Sequence, residues 1–499
     1  MNKGWLILFV NIQLLFAPAL IAQNNFNKVI GVDTNSEFGS IVVKTDTGFL
    51  VTYGDVDETL ITYCMGVLAL DKKGNVLKKS RYCFGENKIV GYGRSLILNN
   101  GNVAHYGTLQ QYDTLKKDFT TWTALTMFTP MGDTLWTRQY LDSNRHVVAR
   151  SLAETKESGL WLIGDETISA NNHNPLFVRI DNNGKVISSH SNIHSGITAL
   201  FSVIKHPNGK YYGSGYSGAS QNFDAFVVEM DTNMKPIWNK RYKSGSGIAA
   251  KLTVLEDNNM AFGTDTLIER INSTDKITRK QIFKIDTSGN VIWRKTHDQS
   301  GEGTHYRQLV ATKSNHLLVL GRKEPPPPYS IYYTLSKLTP QGDTIWMHRY
   351  AYENIEDINY IWDMVATEEG GVLMVGDVTP NGSRHQDVWL VKVDSNGCLN
   401  NDCEKTLVYD MRVSVTESIG GIHNLKIFPN PSTGVFEING LQSTCKYRYT
   451  VVNNVGQLVK QGSIAGNKLN LEQLSIGVYH LNVFGDELQF HSQKLIIND

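Results

Sequence analysis

The residues best suited to chemistry in this sequence are carboxylates and histidines that lie between its apolar segments. Paired carboxylates hydrolyse glycosidic bonds, one acting as the acid and the other as the base or nucleophile. The sequence lacks the H-E-x-x-H, C-x-x-C and G-x-S-x-G motifs that would fix a reaction type, so we assign no catalytic residue, no metal ligand and no cofactor. The candidates are Asp142, Glu166, Glu302, Asp357, His146, His173, His194, His305 and His385.

Aromatic side chains between the same segments point to binding without catalysis. We expect Trp122, Tyr329 and Tyr360 to be exposed anchors that stack on a sugar or contact a protein partner. The ligand is therefore expected to be a protein or a glycan, and the alternative is a carbohydrate-active enzyme, either a hydrolase or a lyase. Two buried carboxyls with raised pKa values, about 5–10 Å apart in a central cleft, would favour the enzyme.

These residues are positioned by a unit that repeats seven times along the chain. Each unit contains two patterns of the form strand, tight turn, strand, and each pattern predicts a β-hairpin. Two hairpins per unit give a four-stranded sheet, and seven such sheets predict an all-β, seven-bladed β-propeller. The first pattern lies at 42–54, 96–107, 152–164, 203–215, 254–263, 310–321 and 365–376, and the second at 68–82, 127–140, 178–190, 228–242, 283–297, 336–350 and 391–403.

The second pattern contains a recurring tryptophan and a recurring turn. Trp136, Trp238, Trp293 and Trp346 share one position, which favours packing between adjacent blades over a repeated ligand site. The Asp-x-x-Gly segments lack the further oxygen ligands of a calcium loop, so we interpret them as turns. The Asp-to-Trp spacing is similar to the docking motif of quinoprotein-type propellers, although one residue shorter, and it implies that architecture without the cofactor. Residues 26–35 resemble the missing outer strand of the last unit and are expected to close the ring.

The connections predict which face of the propeller is functional. Connections within the hairpins are short and alike, and we call their side the turn face. Connections between hairpins differ in length and composition, as at 109–122, 264–280 and 322–330. Variable loops on a rigid scaffold often carry function, so we expect the ligand on this second side, the loop face.

Charge and targeting signals place the chain outside the cytoplasm. Lys and Arg together number 48, as do Asp and Glu, and no basic run suggests nucleic-acid binding. Residues 1–22 read as a signal peptide, and no later segment is apolar enough to span a membrane. In an oxidising compartment, Cys398 with Cys403 and Cys64 with Cys83 are disulfide candidates. Cys64 is expected opposite Tyr82, give or take one position, which leaves the second pairing open.

The pattern changes after Cys403. Residues 404–423 read as a linker, and residues 424–499 contain alternating strands that predict a small β-sandwich. Within this segment, Pro429 and Pro431 are expected to end one strand and to prevent edge pairing at a rigid corner. Gly434 can supply a left-handed backbone angle at the start of the next strand.

This C-terminal segment resembles the type A sorting domain of type IX secretion (Por system) cargo in Bacteroidetes. The resemblance rests on "NLKIFPNPSTGVFEI", "VVNNVGQLVKQG", "LEQLSIGVYHLNV" and the terminal "QKLII". It implies that the secretion machinery is a partner through residues 424–499, and that the protein is secreted or held at the outer-membrane surface of a Gram-negative bacterium. The motif positions are Phe428, Pro429, Asn430, Pro431, Gly434, Gly456, Gly477 and Tyr479.

Overall fold

The computed structural model divides the chain into two compact units, Met1–Val413 and Ser414–Asp499. Among the residues it describes, no helix has the length and hydropathy needed to cross a membrane. Residues 1–22, residues 404–423, Tyr329, Cys403 and Gly456 lie outside them. The described residues are 25–31, 35–57, 63–84, 88–113, 118–140, 146–169, 172–191, 197–219, 222–244, 251–270, 276–297, 303–324, 332–350, 358–379, 385–399, 425–441, 447–453, 458–464, 466–484 and 490–498.

The first unit is a seven-bladed β-propeller made of seven four-stranded antiparallel sheets. The strands of the first three blades are β2 (Asn35–Lys44), β3 (Gly48–Asp57), β4 (Tyr63–Asp71), β5 (Val76–Cys83), β6 (Lys88–Ile97), β7 (Val103–Asp113), β8 (Asp118–Phe128), β9 (Thr134–Tyr140), β10 (His146–Glu154), β11 (Leu160–Ser169), β12 (Asn172–Ile180) and β13 (Val186–Ser191). The next two blades contain β14 (Ile197–Lys205), β15 (Tyr211–Ala219), β16 (Asn222–Met230), β17 (Pro236–Tyr242), β18 (Leu252–Val254), β19 (Met260–Arg270), β20 (Lys276–Ile285) and β21 (Val291–His297). The last two contain β22 (Gly303–Ala311), a 3-10 turn (Lys313–Asn315), β23 (Leu317–Glu324), β24 (Tyr332–Leu338), β25 (Thr344–Tyr350), β26 (Ile358–Ala366), β27 (Val372–Thr379), β28 (Asp387–Val393) and, from the N-terminus, β1 (Phe26–Ile30).

The N-terminal strand β1 supplies the outer strand of the seventh blade. It pairs antiparallel with β28, from Phe26 opposite Lys392 to Ile30 opposite Val388. The buried Trp389 indole donates a hydrogen bond to the Asn27 side chain at 2.7 Å. The two ends of the ring are therefore held together within one sheet.

The first strand of each blade is the inner strand. Each inner strand contacts the inner strands of both neighbouring blades, so the seven strands form a closed ring around the axis. Central strands are rich in apolar residues because neighbouring blades cover both of their faces, and every residue of β28 is buried. The outer strands instead expose many of their side chains.

Side chains of the outer strands join each blade to the next, which confirms the expected packing of the repeated tryptophan. A Cβ atom on Gly184 would lie 3.0 Å from Cη2 of Trp136, and one on Gly289 would lie 2.6 Å from Cη2 of Trp238. Both glycines have positive φ angles, and each belongs to a turn of the following blade. Glycine is needed there for the backbone angle and to make room for the indole.

At the ring closure, an aromatic residue of β1 packs on a turn glycine of the first blade, as tryptophans do at other junctions. Phe26 packs on Gly74, in the place that a tryptophan takes elsewhere. The Lys28 ammonium group donates to the Gly74 carbonyl oxygen at 2.9 Å, as the Tyr242 hydroxyl donates to Gly289 at 2.8 Å. The junction between the last and first blades thus resembles the others.

A disulfide joins Cys64 to Cys83 across β4 and β5. The two cysteines face each other directly, and Tyr82 lies opposite Met65. The register lies within the one position left open by the sequence, and that one position decides that the two cysteines can bond. Cys398 is also disulfide-bonded.

The connections named as variable loops are largely strand, so this part of the sequence interpretation is wrong. Residues 109–113 and 118–122 extend β7 and β8, residues 264–270 and 276–280 extend β19 and β20, and residues 322–324 end β23. Residues 114–117, 271–275 and 325–330 lie outside the described part of the chain. Polar strand extensions resemble loops in sequence because they carry no apolar alternation.

The second unit is a small β-sandwich. Its described strands are β29 (Lys426–Phe428), β30 (Val435–Asn439), β31 (Tyr447–Asn453), β32 (Leu458–Ile464), β33 (Lys468–Asn470), β34 (Gly477–Phe484) and β35 (Phe490–Ile497). They form a three-stranded sheet in the order β29-β30-β33 and a four-stranded sheet in the order β32-β31-β34-β35. One apolar core, which includes Phe436, Val451, Leu481 and Leu495, receives side chains from both sheets.

The proline corner of this sandwich pairs with the last strand, so the expectation that the prolines prevent pairing is wrong. Ser432 forms an isolated parallel bridge with Ile497, and its backbone exchanges hydrogen bonds with Ile496 and Asn498 at 3.0 Å. The Asn430 side chain accepts a hydrogen bond from the Ile496 backbone at 2.8 Å. Asn430 and Ser432, which flank Pro431, supply the hydrogen-bonding groups for this pairing.

Candidate functional site

The candidate site is the central ring of the propeller, around the middle of the inner strands. Six inner strands have a register shift there against their neighbouring strand. A bulge leaves backbone groups unpaired within the sheet and re-aims the side chains around it. Two kinds of groups meet here: those that hold the blades together and those left for a ligand.

One set of polar groups binds the bulged backbone of the next blade. The Thr108 hydroxyl accepts a hydrogen bond from the Ala149 backbone N–H at 2.9 Å. The Asp377 carboxylate accepts one from Gly39 at 3.0 Å, and Asp265 accepts one from Tyr306. These three polar residues therefore serve contacts between neighbouring blades.

In or directly before each inner strand, one residue lies four positions before the first residue of the turn that leads to the second strand. Together these seven residues form a row around the ring. We call it the first row; its members are Ile41, Arg94, Ser151, Ser202, Lys251, Gln308 and Asp363. Three members bind the next inner strand: Ser151 accepts from Val203 N–H at 2.9 Å, Gln308 donates to Met364 O at 3.0 Å, and Asp363 accepts from Val42 N–H at 3.1 Å.

The charged members of the first row converge on the axis. Lys251 of the fifth blade forms an ion pair of 3.5 Å with Asp363 of the seventh blade. Burial lowers the pKa of the Arg94 guanidinium; the Asp363 carboxylate opposes this effect, and the Arg150 guanidinium adds to it. Side chains from four different blades therefore share one electrostatic environment.

The residue immediately before each first-row residue belongs to a second row, and the side chains of this row that the structure describes are larger. Its described members are Gly93, Arg150, Phe201, Arg307 and Trp362. Except for Gly93, all are partly exposed. This row offers two guanidinium groups and two aromatic rings to a molecule that enters the ring.

The aromatic members of the second row belong to two partly exposed clusters. In the fourth blade, the Phe201 ring lies 5.7 Å from Tyr216, which lies 4.6 Å from Phe223. In the seventh blade, Tyr360 and Trp362 stack at 5.4 Å with an interplanar angle of 21°. Two aromatic surfaces on opposite sides of a ring are suited to a ligand with flat apolar faces.

The Trp362 ring is fixed by a hydrogen bond to a buried carboxylate. Its indole N–H donates to Asp377, which also accepts a hydrogen bond from the Gln386 side chain at 3.1 Å. Burial raises the pKa of Asp377 to about 6, while the Gly39 N–H and the Trp362 indole act in the opposite direction. Asp377 therefore fixes the indole and the adjoining blade.

The aromatic residues singled out from the sequence are placed differently from the expectation. Trp122 is 5% exposed and belongs to the core between the first two blades, with its indole N–H directed to the Gln139 side chain at 3.3 Å. Its assignment as an exposed anchor was wrong, because β8 extends through this position. Tyr360 lies on strand β26 and is partly exposed beside Trp362.

The carboxylate and histidine candidates that the structure describes are spread over different blades and are not gathered at one point. His173 lies 3.7 Å from Asp165, and His305 lies 3.1 Å from Asp265. Glu166 is buried in β11. His385 contacts the Ser36 hydroxyl at 3.4 Å, and His146 is exposed at the start of β10. The remaining candidates, Asp142, His194, Glu302 and Asp357, lie outside the described residues.

Two buried carboxyls have raised pKa values, Glu37 and Asp377. Burial raises the pKa of Glu37 to about 8, although Lys79 lies 3.1 Å away and acts against the shift. Glu37 is not among the groups that perturb Asp377, and Asp377 is bound by three donors. Both carboxyls serve contacts within the protein, Glu37 with Lys79 and Asp377 with its three donors.

Sequence reasoning missed the two rows, although a signal for them was present. Six of the seven first-row residues are polar or charged, and each lies at a constant distance before a recognisable turn. A polar residue at a fixed place in almost all the inner strands indicates the axis of a propeller.

Comparisons with known proteins identify the second unit. Residues 426–498 match the family model of the secretion system C-terminal sorting domain. The chain is therefore a cargo of the type IX secretion system, exported to the cell surface or the extracellular space. No curated protein matches the chain.

Solved structures similar to the chain include an ulvan lyase of polysaccharide lyase family 25, with a TM-score of 0.48 and 9% identity over 74% of this chain and 97% of that one. Another is the β-propeller domain of the Trilobed protease from Pyrococcus furiosus, with a TM-score of 0.41 and 13% identity over 76% of this chain and all of that one. These scores assign no activity to the chain, and the description of seven blades rests on its own strand pairing.

Proposed function

We propose that the propeller is a non-enzymatic domain that binds a glycan at the loop-face side of its central ring. The observation that carries this proposal is the pair of partly exposed aromatic clusters, Phe201 with Tyr216 in the fourth blade and Tyr360 with Trp362 in the seventh. Sugar rings present apolar C–H faces to aromatic rings and hydroxyls to polar neighbours, which is the mixture found here.

The proposal includes the route to the site of action. Residues 1–22 direct inner-membrane export and are removed, residues 23–403 form the propeller, and residues 404–423 link it to the sorting domain at 424–499. The host is a Gram-negative bacterium of the Bacteroidetes, and the propeller acts at its surface or in the medium. The sorting-domain match supports this route.

Alanine substitution in the aromatic clusters should weaken glycan binding. We expect Phe201→Ala and Trp362→Ala each to lower affinity roughly five- to thirtyfold, since an aromatic anchor contributes about 1–2 kcal/mol. The full chain is screened on a glycan array, and the affinity for the best ligand is then measured by isothermal titration calorimetry.

Control variants distinguish an effect on the binding surface of the ring from an effect on folding. Trp362→Phe keeps an aromatic face and loses only the N–H donor to Asp377, so it should keep most of the affinity. Lys72→Ala and Asn182→Ala, on the turn face, should not change it. Loss of binding in the turn-face variants, with none in the aromatic variants, would show that the working face is assigned wrongly.

A second candidate is a carbohydrate-active enzyme, either hydrolase or lyase. The His305–Asp265 pair at 3.1 Å favours it, because a carboxylate beside an imidazole can position a general acid or base. Incubation with polysaccharides, followed by assays for reducing ends and for unsaturated uronates, distinguishes the two. Product formation that is lost in His305→Ala would establish the enzyme instead.

A further inference from the structure

The two rows contain more positively than negatively charged side chains. The charged described members are Arg94, Lys251 and Asp363 in the first row and Arg150 and Arg307 in the second. Four cations thus face one anion within the rows, although the whole chain has a formal net charge of zero. A concave site with one sign of charge concentrates ligands of the opposite sign.

Two of the four cations have a carboxylate partner. Arg150 donates to Asp165 of its own blade at 2.9 Å. Lys251 lies 3.5 Å from Asp363, which also accepts the Val42 backbone N–H. Asp363 therefore already serves two donors.

The guanidinium groups of Arg94 and Arg307 form no ion pair among the described residues, although the Asp363 carboxylate is near enough to Arg94 to oppose the lowering of its pKa. Neither makes a hydrogen bond or an ion pair to any residue that the structure describes, and Nε of Arg307 is buried without a hydrogen-bond partner. Arginine stays protonated at physiological pH, and its planar donors match the oxygens of carboxylate and sulfate groups.

The surroundings strengthen this imbalance. Arg322 of strand β23 lies close enough to Arg307 for the two charges to repel. Burial and this repulsion lower the pKa of Arg322, and the Asp265 carboxylate acts in the opposite direction. Tyr360 is also in the environment of Arg322, so the cationic groups adjoin the aromatic cluster of the seventh blade. An unneutralised, partly buried guanidinium is costly, and an external anion removes that cost.

We propose that the ligand is an acidic glycan, whose carboxylate or sulfate groups bind the guanidinium groups of Arg94 and Arg307 while its sugar rings lie on the aromatic clusters. This inference rests on the proposed function and names the ligand class for the same site. The aromatic clusters favour a sugar polymer over a free inorganic anion as the ligand.

The test uses the full chain and two kinds of probe. The first is sodium sulfate against sodium chloride at equal ionic strength, with the thermal unfolding midpoint as the readout. The second is a panel of labelled oligosaccharides followed by fluorescence anisotropy: polygalacturonate and alginate carry carboxylates, chondroitin sulfate and dextran sulfate carry sulfates, and dextran and xylan are neutral. The carboxylate and sulfate members identify which acidic group is preferred.

We expect sulfate to raise the unfolding midpoint with saturation, and at least one acidic oligosaccharide to bind more tightly than the neutral ones. Arg94→Gln and Arg307→Gln should each weaken this binding at least about tenfold, because each removes charge-assisted hydrogen bonds. Arg94→Lys keeps the positive charge, so it should lose less binding affinity than Arg94→Gln. This comparison separates the loss of charge from an effect on folding. Arg294→Gln, an exposed change on β21, is the matched control and should have no effect.

The outcomes distinguish this inference from the function on which it rests. If neutral oligosaccharides bind as tightly as acidic ones, or if the Arg94 and Arg307 variants bind normally, the inference fails and the glycan site stands. If no oligosaccharide binds, the proposed function fails and this inference fails with it, even where sulfate still stabilises the chain.

Discussion

Deletion of residues 424–499 is expected to abolish the appearance of the protein at the cell surface and in the medium, and to leave it in the periplasm. The segment contains the matched sorting domain at 426–498 and folds as a unit with its own core. Because the propeller has a separate core, the truncated chain should still fold. Cell fractionation followed by immunoblotting measures the distribution.

A transfer experiment controls for indirect effects of the truncation. Residues 404–499, fused behind a periplasmic fluorescent protein, should carry that protein out of the cell of the same host. Full-length protein with Arg294→Gln should be exported normally. Surface or medium levels of the truncated protein equal to wild type would contradict the role of the segment.

Removal of residues 23–31 should severely destabilise the propeller. The deletion takes away β1, in which Phe26, Val29 and Ile30 are buried. Burial of each such side chain contributes about 1.5–3 kcal/mol, so their loss costs roughly 5–9 kcal/mol. That sum is comparable to the whole stability of a typical domain, about 5–15 kcal/mol. The deletion also leaves β28, which is mostly apolar, as an unpaired edge, and this favours aggregation.

Calorimetry and size-exclusion chromatography measure this effect. Val29→Asp should reproduce a large part of it, because the side chain is fully buried between β28 and the neighbouring core. Ser188→Ala, on the exposed outer strand β13, should leave the unfolding midpoint unchanged. A deletion variant that stays monomeric and unfolds at the wild-type temperature would show that β1 does not close the ring.

The propeller could be predicted from the sequence because its evidence is repeated seven times. Each turn, each apolar strand and four of the tryptophans recur at fixed spacing, so an error in one copy is corrected by the others. The sorting domain was recognisable because several motifs occur in order. Both predictions depend on pattern and not on any single side chain.

The site could not be predicted in the same way because it depends on single positions. Trp122 lies in a polar segment, and only the length of β8 decides that its ring is buried. The disulfide depended on a register of one residue. Arg94 and Arg307 become significant only because inner strands from distant parts of the chain meet at one axis, where the described residues form no ion pair with them.

The most direct measurement of the central claim is hydroxyl-radical footprinting of the full chain, with and without the tightest oligosaccharide from the array. Bound glycan should protect Phe201, Tyr360 and Trp362 from labelling, since these rings are partly exposed on the inner strands. Ile187 and Met347, exposed on the outer strands β13 and β25, should be labelled equally in both samples. Protection of the outer strands or the sorting domain, with the three rings unchanged, would contradict a binding site at the centre of the propeller.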